Sequence, residues 1–377
     1  MIILNTIKQC AFNYYQPKVR QVYQPCQTYP NLKPLERDTV SFTRSTELNR
    51  TLMSAFDNKE VCNSIYENSK DVANDFQDTL NKYFGDLISN DENPNLPIHH
   101  IDFRTKTPES IREKTADKLG NCILHDVKNT FNPNSAKDIK KNIKDLIGAR
   151  LVLDNFSKRD TTKIIEKLSE ACKNGDLKIT SIESYEPDSP DKNLKYFSDT
   201  DLKNLKKAAN TNKPIGSDSV KLIKSSKKTG YVGLHINVDL SNPDKYVSNK
   251  DNYLGEIQIL GYDVSKLKEV EDACYKLKSN KDLKRGNVAY KPFTEYFLKY
   301  LNSSPEVRDN FEEYTKRAYI EQRRKEPARK NCKKEDTNLP TIKECGMDGK
   351  IPPELDFNIL HSLKSKCDEV YKFTANL

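Results

Sequence analysis

Strand-like segments alternate with helix-like ones through the centre of the chain, between about residues 95 and 280. The clearest strand is "LGEIQIL", in which Glu256 and Gln258 alternate with Ile257 and Ile259. Side chains of a strand point alternately to opposite faces, so this strand has one polar and one apolar face. Several such strands separated by helices predict a mixed α/β or α+β domain.

Other segments complete the predicted sheet. "IHHIDFRTKT", "NIKDLIGARLVL" and "LKITSIESY" each predict a strand, and "SVKLIK" with "YVGLHINVDL" predicts a pair joined by a Lys/Gly turn. "TPESIREKTADKL" predicts a helix with Thr107 as N-cap and Pro108 at its first position. "DTTKIIEKLSEACKNG" predicts a helix from Asp160 that Gly175 ends. The fold expected is α+β, with a mixed five-stranded sheet flanked by helices.

The flanks of this central region differ from it in composition. Residues 1–45 are rich in Pro, Gln, Asn, Thr and Tyr and predict a disordered or loosely packed segment. Residues 46–94 predict a helical segment, and residues 95–282 form the predicted α+β domain. Residues 283–377 predict a helical C-terminal extension with a basic linker. In the N-terminal helical segment, apolar residues recur at helical spacing, namely at Val72, Phe76, Leu80, Phe84 and Leu87.

The positive charge is concentrated near the C-terminus. The chain has a formal net charge of +8, and residues 316–334 alone carry nine basic and two acidic residues. Such a block attracts nucleic acid or an anionic surface. The alternative is a solvated helix end that runs into a linker. The block therefore makes tRNA a candidate partner without establishing it.

Cysteine usage and hydropathy favour a cytoplasmic protein. The nine cysteines form no CxxC pair and no Cys/His group with zinc spacing, which favours reduced thiols. No apolar run approaches the length of a membrane span, and the N-terminus has no basic region followed by an apolar stretch. We therefore expect no membrane association and no secretion.

A basic corner is expected where the first strand meets the following helix. Arg104 and Lys106 share one face of the strand end, and Lys114 follows on the helix. Free backbone N–H groups at the helix start, at residues 107–110, point toward the same region and favour an anion such as a phosphate. The alternative is a set of cations that merely flank a strand.

Two acidic residues border apolar strands. Asp145 begins the strand in "KDLIGARLVL", with Arg150 five residues further on, and Glu256 lies on the polar face of "LGEIQIL". Two carboxylates on the same face of a sheet can share Mg²⁺, which proteins hold with few carboxylates and with substrate phosphates. For Asp145 the alternative is an edge acid paired with a nearby lysine.

The stretch "KSSKKTGYVGLH" offers groups that suit a nucleotide. It has lysines for phosphates and a turn flanked by glycines, and a base can stack on the ring of Tyr231. His235 begins the next strand, where it can donate to a phosphate or a ribose. In the alternative interpretation, Tyr231 is a core aromatic residue and His235 is a strand histidine with its hydrogen bonds satisfied.

Taken together and in this order, these segments resemble the synthetase domain of RelA/SpoT-type alarmone synthetases, over about residues 98–278. The chain resembles a small member of the family with a single activity. The matching positions of the four motifs are Arg104, Lys106, Ser110, Ile111 and Lys114 in the first; Asp145, Gly148 and Arg150 in the second; Lys227, Gly230, Tyr231 and His235 in the third; and Glu256, Gln258 and Ile259 in the fourth.

The resemblance implies a pyrophosphokinase that transfers the β,γ-pyrophosphate of ATP to the ribose 3′-hydroxyl of GDP or GTP, with Mg²⁺ as cofactor. Homo-oligomers occur in the family, so self-association is one assembly to consider. The roles implied are these: ATP binding by Arg104 on adenine and by Lys106, Ser110, Lys114 and Arg150; metal binding and catalysis by Asp145 and Glu256, the latter as a base for the 3′-hydroxyl or as a ligand; and acceptor binding by Lys227, Gly230, Tyr231, His235 and Gln258, with Tyr231 stacked on the base.

The sequence departs from the family pattern mostly on the acceptor side. Val232 and Gly233 replace a polar residue and a serine, Leu260 replaces an arginine, and an acid–histidine pair before Tyr275 is absent. The use of ATP is thus better supported than the identity of the acceptor. The departures motivate two alternatives: a toxic relative that pyrophosphorylates the 3′ end of tRNA, and a nucleotide-binding protein without catalysis.

Overall fold

Six strands form one mixed sheet in the computed structural model, which describes residues 58–124, 131–154, 158–186, 194–213, 218–227, 229–240, 253–278, 288–325 and 338–375. The strands are β1 (Ile98–Thr105), β2 (Ile147–Leu153), β3 (Lys178–Tyr185), β4 (Lys221–Ser225), β5 (Gly233–Asp239) and β6 (Leu254–Gly261). Their spatial order is β1-β2-β6-β5-β3-β4. The β2–β6 and β3–β4 pairs are parallel, and the other pairs are antiparallel. The predicted α+β class is confirmed.

The strand count and one predicted pairing were wrong. The sheet has six strands rather than five, and β4 and β5 do not form the expected hairpin. Both lie beside β3, β4 in parallel and β5 antiparallel. A parallel neighbour needs a crossover connection, and a helix at Asp199–Asn210, which the sequence analysis did not identify, lies in the chain between β3 and β4. Ser198 caps this helix by accepting from the N–H of Asp201.

The two faces of the sheet differ sharply in polarity because apolar and polar residues alternate along β2, β5 and β6. One face is lined by buried apolar side chains, namely Ala149, Leu151, Ile182, Leu234, Ile236, Val238, Ile257 and Ile259. The strand pairing places polar side chains together on the other face, namely Asp102, Arg104, Arg150, Ser181, Glu183, His235, Asn237, Glu256 and Gln258. The polar face is thus the part of the sheet available for chemistry.

Five helices of the described residues precede β4 in the chain: α1 (Lys59–Phe84), α2 (Pro108–Leu124), α3 (Ala136–Asn142), α4 (Lys158–Lys173) and α5 (Asp199–Asn210). Val72, Phe76, Leu80 and Phe84, which recur at helical spacing in the sequence, are buried in α1, and Leu87 lies in the short turn of helix that follows it. Helix α1 packs on α2, α4 and β1, and α4 packs on α5. The segments 1–45 and 46–57 lie outside the described residues.

The predicted ends of two helices agree with the structure. Thr107 begins α2: its Oγ1 accepts from the backbone N–H of Ser110 at 3.4 Å, and its carbonyl accepts from Ile111 at 2.9 Å. Helix α4 ends at Lys173, and Gly175 follows with φ +80°, the left-handed conformation typical of a helix C-terminus. Helix α4 begins at Lys158, two residues before the start expected at Asp160.

Four helices follow the sheet: α6 (Tyr262–Lys278), α7 (Lys291–Leu301), α8 (Pro305–Lys325) and α9 (Phe357–Ala375). Helix α6 packs on β2 and β6, and α8 and α9 pack on α6 and α7. Aromatic side chains fill the space between α7, α8 and α9, namely Phe293, Phe297, Phe311, Tyr314 and Phe357. The C-terminal extension therefore packs against the sheet through α6. No helix among the described residues is both long and apolar enough to cross a membrane.

Helix α8 is attached by an arginine from the basic block. Arg323 is buried, its Nε donates to the carbonyl of Leu194 at 3.0 Å, and its guanidinium carbon lies 4.0 Å from the centre of the Tyr196 ring. This contact joins α8 to the segment that precedes α5. A stacked and hydrogen-bonded guanidinium keeps its charge satisfied away from water.

Three further cations of the block are also paired within the chain. Arg317 contacts Glu313, Arg324 contacts Glu321, and Lys325 contacts Glu344. These ion pairs reduce the positive potential that residues 316–325 present to a partner. Residues 326–334 lie outside the described part of the chain.

Gly230 lies where α8 comes close to the loop before β5. We expect Gly230→Ala to lower the free energy of unfolding by about 2–4 kcal/mol. Its φ is +79°, and a Cβ there would lie 2.7 Å from the carbonyl oxygen of Lys316. Urea unfolding measures the effect. The matched control is Gly349→Ala, where φ is +71° and the space is open, so only about 1 kcal/mol is expected. Equal losses for the two variants would contradict the close packing of α8.

Candidate functional site

The four sequence motifs converge on the polar face of the sheet. Strand pairing sets Arg104 of β1 opposite Gly148 of β2, and Gly148 opposite Glu256 of β6. Two residues further along the strands, on the same face, Arg150 is opposite Gln258, and Gln258 is opposite His235 of β5. Residues more than 100 positions apart in sequence thus form two adjacent rows of one surface.

Gly148 lets the side chain of Arg104 cross the sheet. A Cβ at this position would lie 3.0 Å from Nε and 3.2 Å from Cγ of Arg104, so a larger residue would push the arginine away. Its guanidinium reaches across β2 to Glu256, with Nη2 3.9 Å from Oε2, while 55% of the side chain stays exposed. Gly148, in the second motif, therefore leaves the space that the side chain of Arg104, in the first motif, occupies.

Lys106 and Asp145 form an ion pair beside this row. Lys106 Nζ lies 3.0 Å from Asp145 Oδ2, and the backbone N–H of Lys106 donates to the carbonyl of Leu146 at 2.8 Å. Burial lowers the pKa of Lys106, and the nearby charges of Arg104 and Lys114 add to this, whereas Asp145 opposes it. Arg104, Lys106 and Lys114 are thus near enough for their charges to interact. Lys114 is exposed on the first turns of α2. In the first turn, the hydroxyl of Thr107 donates a hydrogen bond to the hydroxyl of Ser110.

Glu256 is held by partners on three sides. Its Oε1 accepts from Nδ1 of His235 at 2.9 Å, and its Oε2 accepts from Nε2 of Gln258 at 2.6 Å. Arg150 in turn donates to Gln258 at 3.4 Å. Burial alone would raise the pKa of Glu256, but His235, Gln258 and Arg104 outweigh it and lower the pKa to about 2. The carboxylate is therefore ionised and fixed in orientation.

The loop before β5 brings Tyr231 back over the sheet. The N–H of Gly230 donates to the carbonyl of Lys227 at 2.9 Å, which closes a turn. The hydroxyl of Tyr231 then lies 2.9 Å from Nε2 of His235. A Cβ on Gly233 would lie 2.5 Å from that hydroxyl. Glycine at 233, one of the departures from the family pattern, thus makes room for the tyrosine.

The base-stacking role that the resemblance implies for Tyr231 does not match the position of its ring. The side chain is 3% exposed. Lys268 Nζ lies over the ring at 4.7 Å, and Tyr319 of α8 meets it edge-on at 5.9 Å. A base could stack on this ring only after the ring left its position. His235 likewise contacts Tyr231 and Glu256 with its two nitrogens.

Residues of β3 and β5 extend the polar face beyond the motifs. Tyr185 donates to Glu183 at 2.8 Å, and its ring lies edge-on to His235 and under Nζ of Lys227 at 4.1 Å. Asn237 donates to Ser181 and to Glu183. "LKITSIESY" was expected to be a strand, and its polar residues had no predicted role. Their alternation with Ile182 is the signal that would have placed them on the polar face.

Leu260 closes one end of the polar face. It follows Gln258 by two residues, is fully buried, and pairs with Val152 of β2. The arginine usual at this position would project from the same row. This end of the row is therefore apolar here, and the cations of the site lie at the other end, on Arg104, Lys106 and Arg150.

Asp145 and Glu256 are the two carboxylates of the site that could hold a metal ion. Asp145 precedes β2 by two residues, and Glu256 lies near the start of β6, so both are at the same end of two neighbouring parallel strands. Among the described residues no group of three or more histidine, cysteine, aspartate or glutamate side chains could hold a metal. Mg²⁺ is commonly bound by one or two carboxylates together with phosphates. The oxygen donors of Asp145 and Glu256 have that chemistry.

The depressed pKa of Glu256 predicts a pH-dependent contribution to stability. The pKa of its carboxylate is about 2 in the folded protein, against a reference value of 4.5. The stabilisation is therefore present above pH 4.5 and is lost as the pH falls toward 2. Between pH 6 and pH 3, without magnesium, the free energy of unfolding should fall by about 2 kcal/mol more in the wild type than in Glu256→Gln. Urea unfolding at both pH values measures this, and parallel losses would contradict it.

Comparison with known proteins gives structural likenesses only. No family model matches the chain, and no curated protein matches it. A GTP pyrophosphokinase family protein from Streptococcus pneumoniae is 14% identical with a TM-score of 0.37, covering 72% of this chain and 91% of that one. The small alarmone synthetase 2 from Bacillus subtilis is 18% identical with a TM-score of 0.30, covering 62% and 89%. At these values, the function of this chain has to be inferred from its own residues.

Proposed function

We propose that the protein is an ATP-dependent pyrophosphokinase that transfers the β,γ-pyrophosphate of ATP to the ribose 3′-hydroxyl of GDP or GTP. The observation that carries this proposal is the convergence of four separate sequence motifs on one polar face. There, Arg104 crosses Gly148 to reach Glu256, and Lys106 pairs with Asp145 close by. This reaction would take place in the cytoplasm, where both nucleotides are abundant.

The basic corner is the proposed ATP side. Lys106 and Lys114, with the N-terminus of α2 at Ser110, would hold the phosphates, and the exposed guanidinium of Arg104 would stack on adenine. Burial lowers the pKa of Lys106, and a phosphate beside the ammonium group would favour its charged form. Arg150 lies one row further along the sheet, where it can contact a phosphate while bonded to Gln258.

Asp145 and Glu256 would hold the magnesium ion, which when bound neutralises the negative charge of the phosphates during transfer. In the reaction the acceptor 3′-oxygen bonds to the β-phosphorus of ATP, the bond from that phosphorus to the bridging oxygen of the α-phosphate breaks, and AMP leaves. Of the two roles that the resemblance implies for Glu256, its pKa of about 2 favours the metal ligand over the base, so the proton of the 3′-hydroxyl would pass to solvent. Such transfers depend mainly on positioning and on charge neutralisation.

On the acceptor side, Lys227 is the group that we propose to bind an acceptor phosphate. His235 and Gln258 are already engaged with neighbouring side chains, and Gly230 is buried, so these three would shape the acceptor site rather than bind the acceptor directly. Lys227 is exposed, with its ammonium group over Tyr185, so it is free to turn toward an acceptor phosphate. The tRNA alternative relied partly on the basic block, and the described cations Arg317, Arg323 and Lys325 of that block are engaged within the chain. A guanine nucleotide is therefore the acceptor we favour.

Transfer of label from ATP tests this proposal. Purified protein receives magnesium and ATP labelled at the γ-phosphate, with GDP, GTP, ATP or bulk tRNA in separate reactions, and products are resolved by thin-layer chromatography. Label on GDP or GTP supports the proposal. Label on tRNA alone would identify a tRNA-modifying enzyme instead, and no transfer to any acceptor would leave a binding protein.

A further inference from the structure

We propose that Tyr231 is a positioning residue for Glu256, acting through His235, and not a platform for the acceptor base. The contact chain is continuous: the Tyr231 hydroxyl lies 2.9 Å from Nε2 of His235, and Nδ1 of His235 lies 2.9 Å from Oε1 of Glu256. The inference rests on the proposed function, because Glu256 is the group that it positions for pyrophosphate transfer.

The hydrogen bonds from Tyr231 through His235 to Glu256 depend on which atoms carry protons. An ionised carboxylate only accepts hydrogen bonds, so Nδ1 of His235 must carry the proton that bonds Glu256. At Nε2 the hydroxyl of Tyr231 can donate to a neutral imidazole or accept from a protonated one. Both ring nitrogens are thus engaged, which fixes the plane of the imidazole and aims its N–H at Oε1.

The surroundings hold Tyr231 in this role. Its ring is almost fully buried, with the ammonium group of Lys268 over the ring and the edge of Tyr319 against it. The absence of a side chain at Gly233 admits the hydroxyl, and Gly230 allows α8 to close over the loop. To stack on a base, the tyrosine would have to break its bond to His235 and leave this packed position.

The consequence falls on the orientation of one carboxylate. Gln258 holds Oε2 of Glu256 at 2.6 Å, and His235 holds Oε1. With the tyrosine hydroxyl gone, Nε2 would lose its hydrogen-bond partner, and Glu256 would be the remaining hydrogen bond of the imidazole. Groups that act on a transition state need their orientation fixed beforehand, so this loss should lower turnover more than acceptor binding.

Tyr231→Phe is the decisive variant, because it keeps the ring and removes only the hydroxyl. We expect kcat for pyrophosphate transfer to fall about tenfold, the usual weight of one hydrogen bond, with the acceptor KM unchanged. A second readout is independent of activity: the nitrogen NMR signal of His235 in the magnesium-free protein. It should show a proton on Nδ1, and the Nε2 signal should move in Tyr231→Phe. His235→Gln assigns the signal among the five histidines.

Tyr83→Phe is the matched control. Tyr83 is also buried, and its hydroxyl donates to Asp176 at 2.6 Å, away from the polar face. This variant should lose stability while kcat and the His235 signal stay as in the wild type.

An unchanged kcat and an unmoved His235 signal in Tyr231→Phe would overturn the inference. So would a wild-type kcat in Tyr231→Phe combined with a raised acceptor KM in Tyr231→Leu, since that pattern indicates stacking on a base. If the wild type transfers no pyrophosphate, the proposed function fails separately. The nitrogen spectra then still decide: a moved His235 signal supports the positioning contact, and an unmoved one refutes it.

Discussion

Glu256→Gln should lower pyrophosphate transfer about 10³-fold, the range expected when a catalytic carboxylate is lost. The amide keeps the size of the side chain and its oxygen can still accept from His235, but it has no negative charge with which to hold the magnesium ion. Initial rates with saturating ATP and GDP measure the effect. Binding of ATP should change little, because the proposed phosphate contacts are on Lys106 and Lys114.

The matched control for this variant is Glu113→Gln. Glu113 is exposed on α2, beside the basic corner but outside the polar face of the sheet. It removes one negative charge from the same region, so its rate should stay close to that of the wild type. Similar losses in the two variants would mean that Glu256 acts only through the net charge, which contradicts its proposed role.

Asp145→Asn is expected to raise the magnesium concentration needed for half-maximal activity about 10- to 100-fold. The variant removes a carboxylate that would hold the metal and leaves the largely buried Lys106 without its ion-pair partner, which lies 3.0 Å away in the wild type. Rates measured across a magnesium titration test this. An unchanged magnesium dependence with a lower maximal rate would show that Asp145 serves the lysine and not the metal.

A second variant separates the two roles of the aspartate. Lys106→Met removes the ammonium group and leaves Asp145 in place. Under the proposal, it should raise the KM for ATP without changing the magnesium dependence. A change in the magnesium dependence as large as that of Asp145→Asn would contradict the separation of the phosphate and metal roles.

The sequence allowed much of the sheet to be predicted, because its strands carry their pattern locally. The alternation in "LGEIQIL" indicated the two faces of β6, and Glu256 and Gln258 do lie together on the polar one. The pairing of the edge strand β4 was harder to predict. Its residues are mostly exposed, and its partner is β3 rather than the neighbour in sequence, β5. Nothing local in "SVKLIK" specifies a parallel partner that the chain reaches through a helix.

The site was predictable in its parts and not in its connections. Motif spacing identified Arg104, Lys106, Asp145 and Glu256, and the pairing of strands then explains why they meet. The burial of Tyr231 agrees with the alternative drawn from the sequence, a core aromatic residue. Its contacts could not be predicted, because they depend on α8, which lies far downstream. Tyr231 contacts Tyr319, and Gly230 lies close to the backbone at Lys316, so the loop before β5 packs against α8. Such long-range packing leaves no periodic signal in the loop itself.

The most direct test of the central claim is the balance of products with GDP and with 3′-deoxy-GDP as acceptors. The account predicts one AMP released for each guanine nucleotide that gains a pyrophosphate, and no product with 3′-deoxy-GDP. ADP in place of AMP would indicate transfer of a single phosphoryl group. That result, or an equal reaction with the 3′-deoxy acceptor, would contradict a pyrophosphokinase that acts on the 3′-hydroxyl.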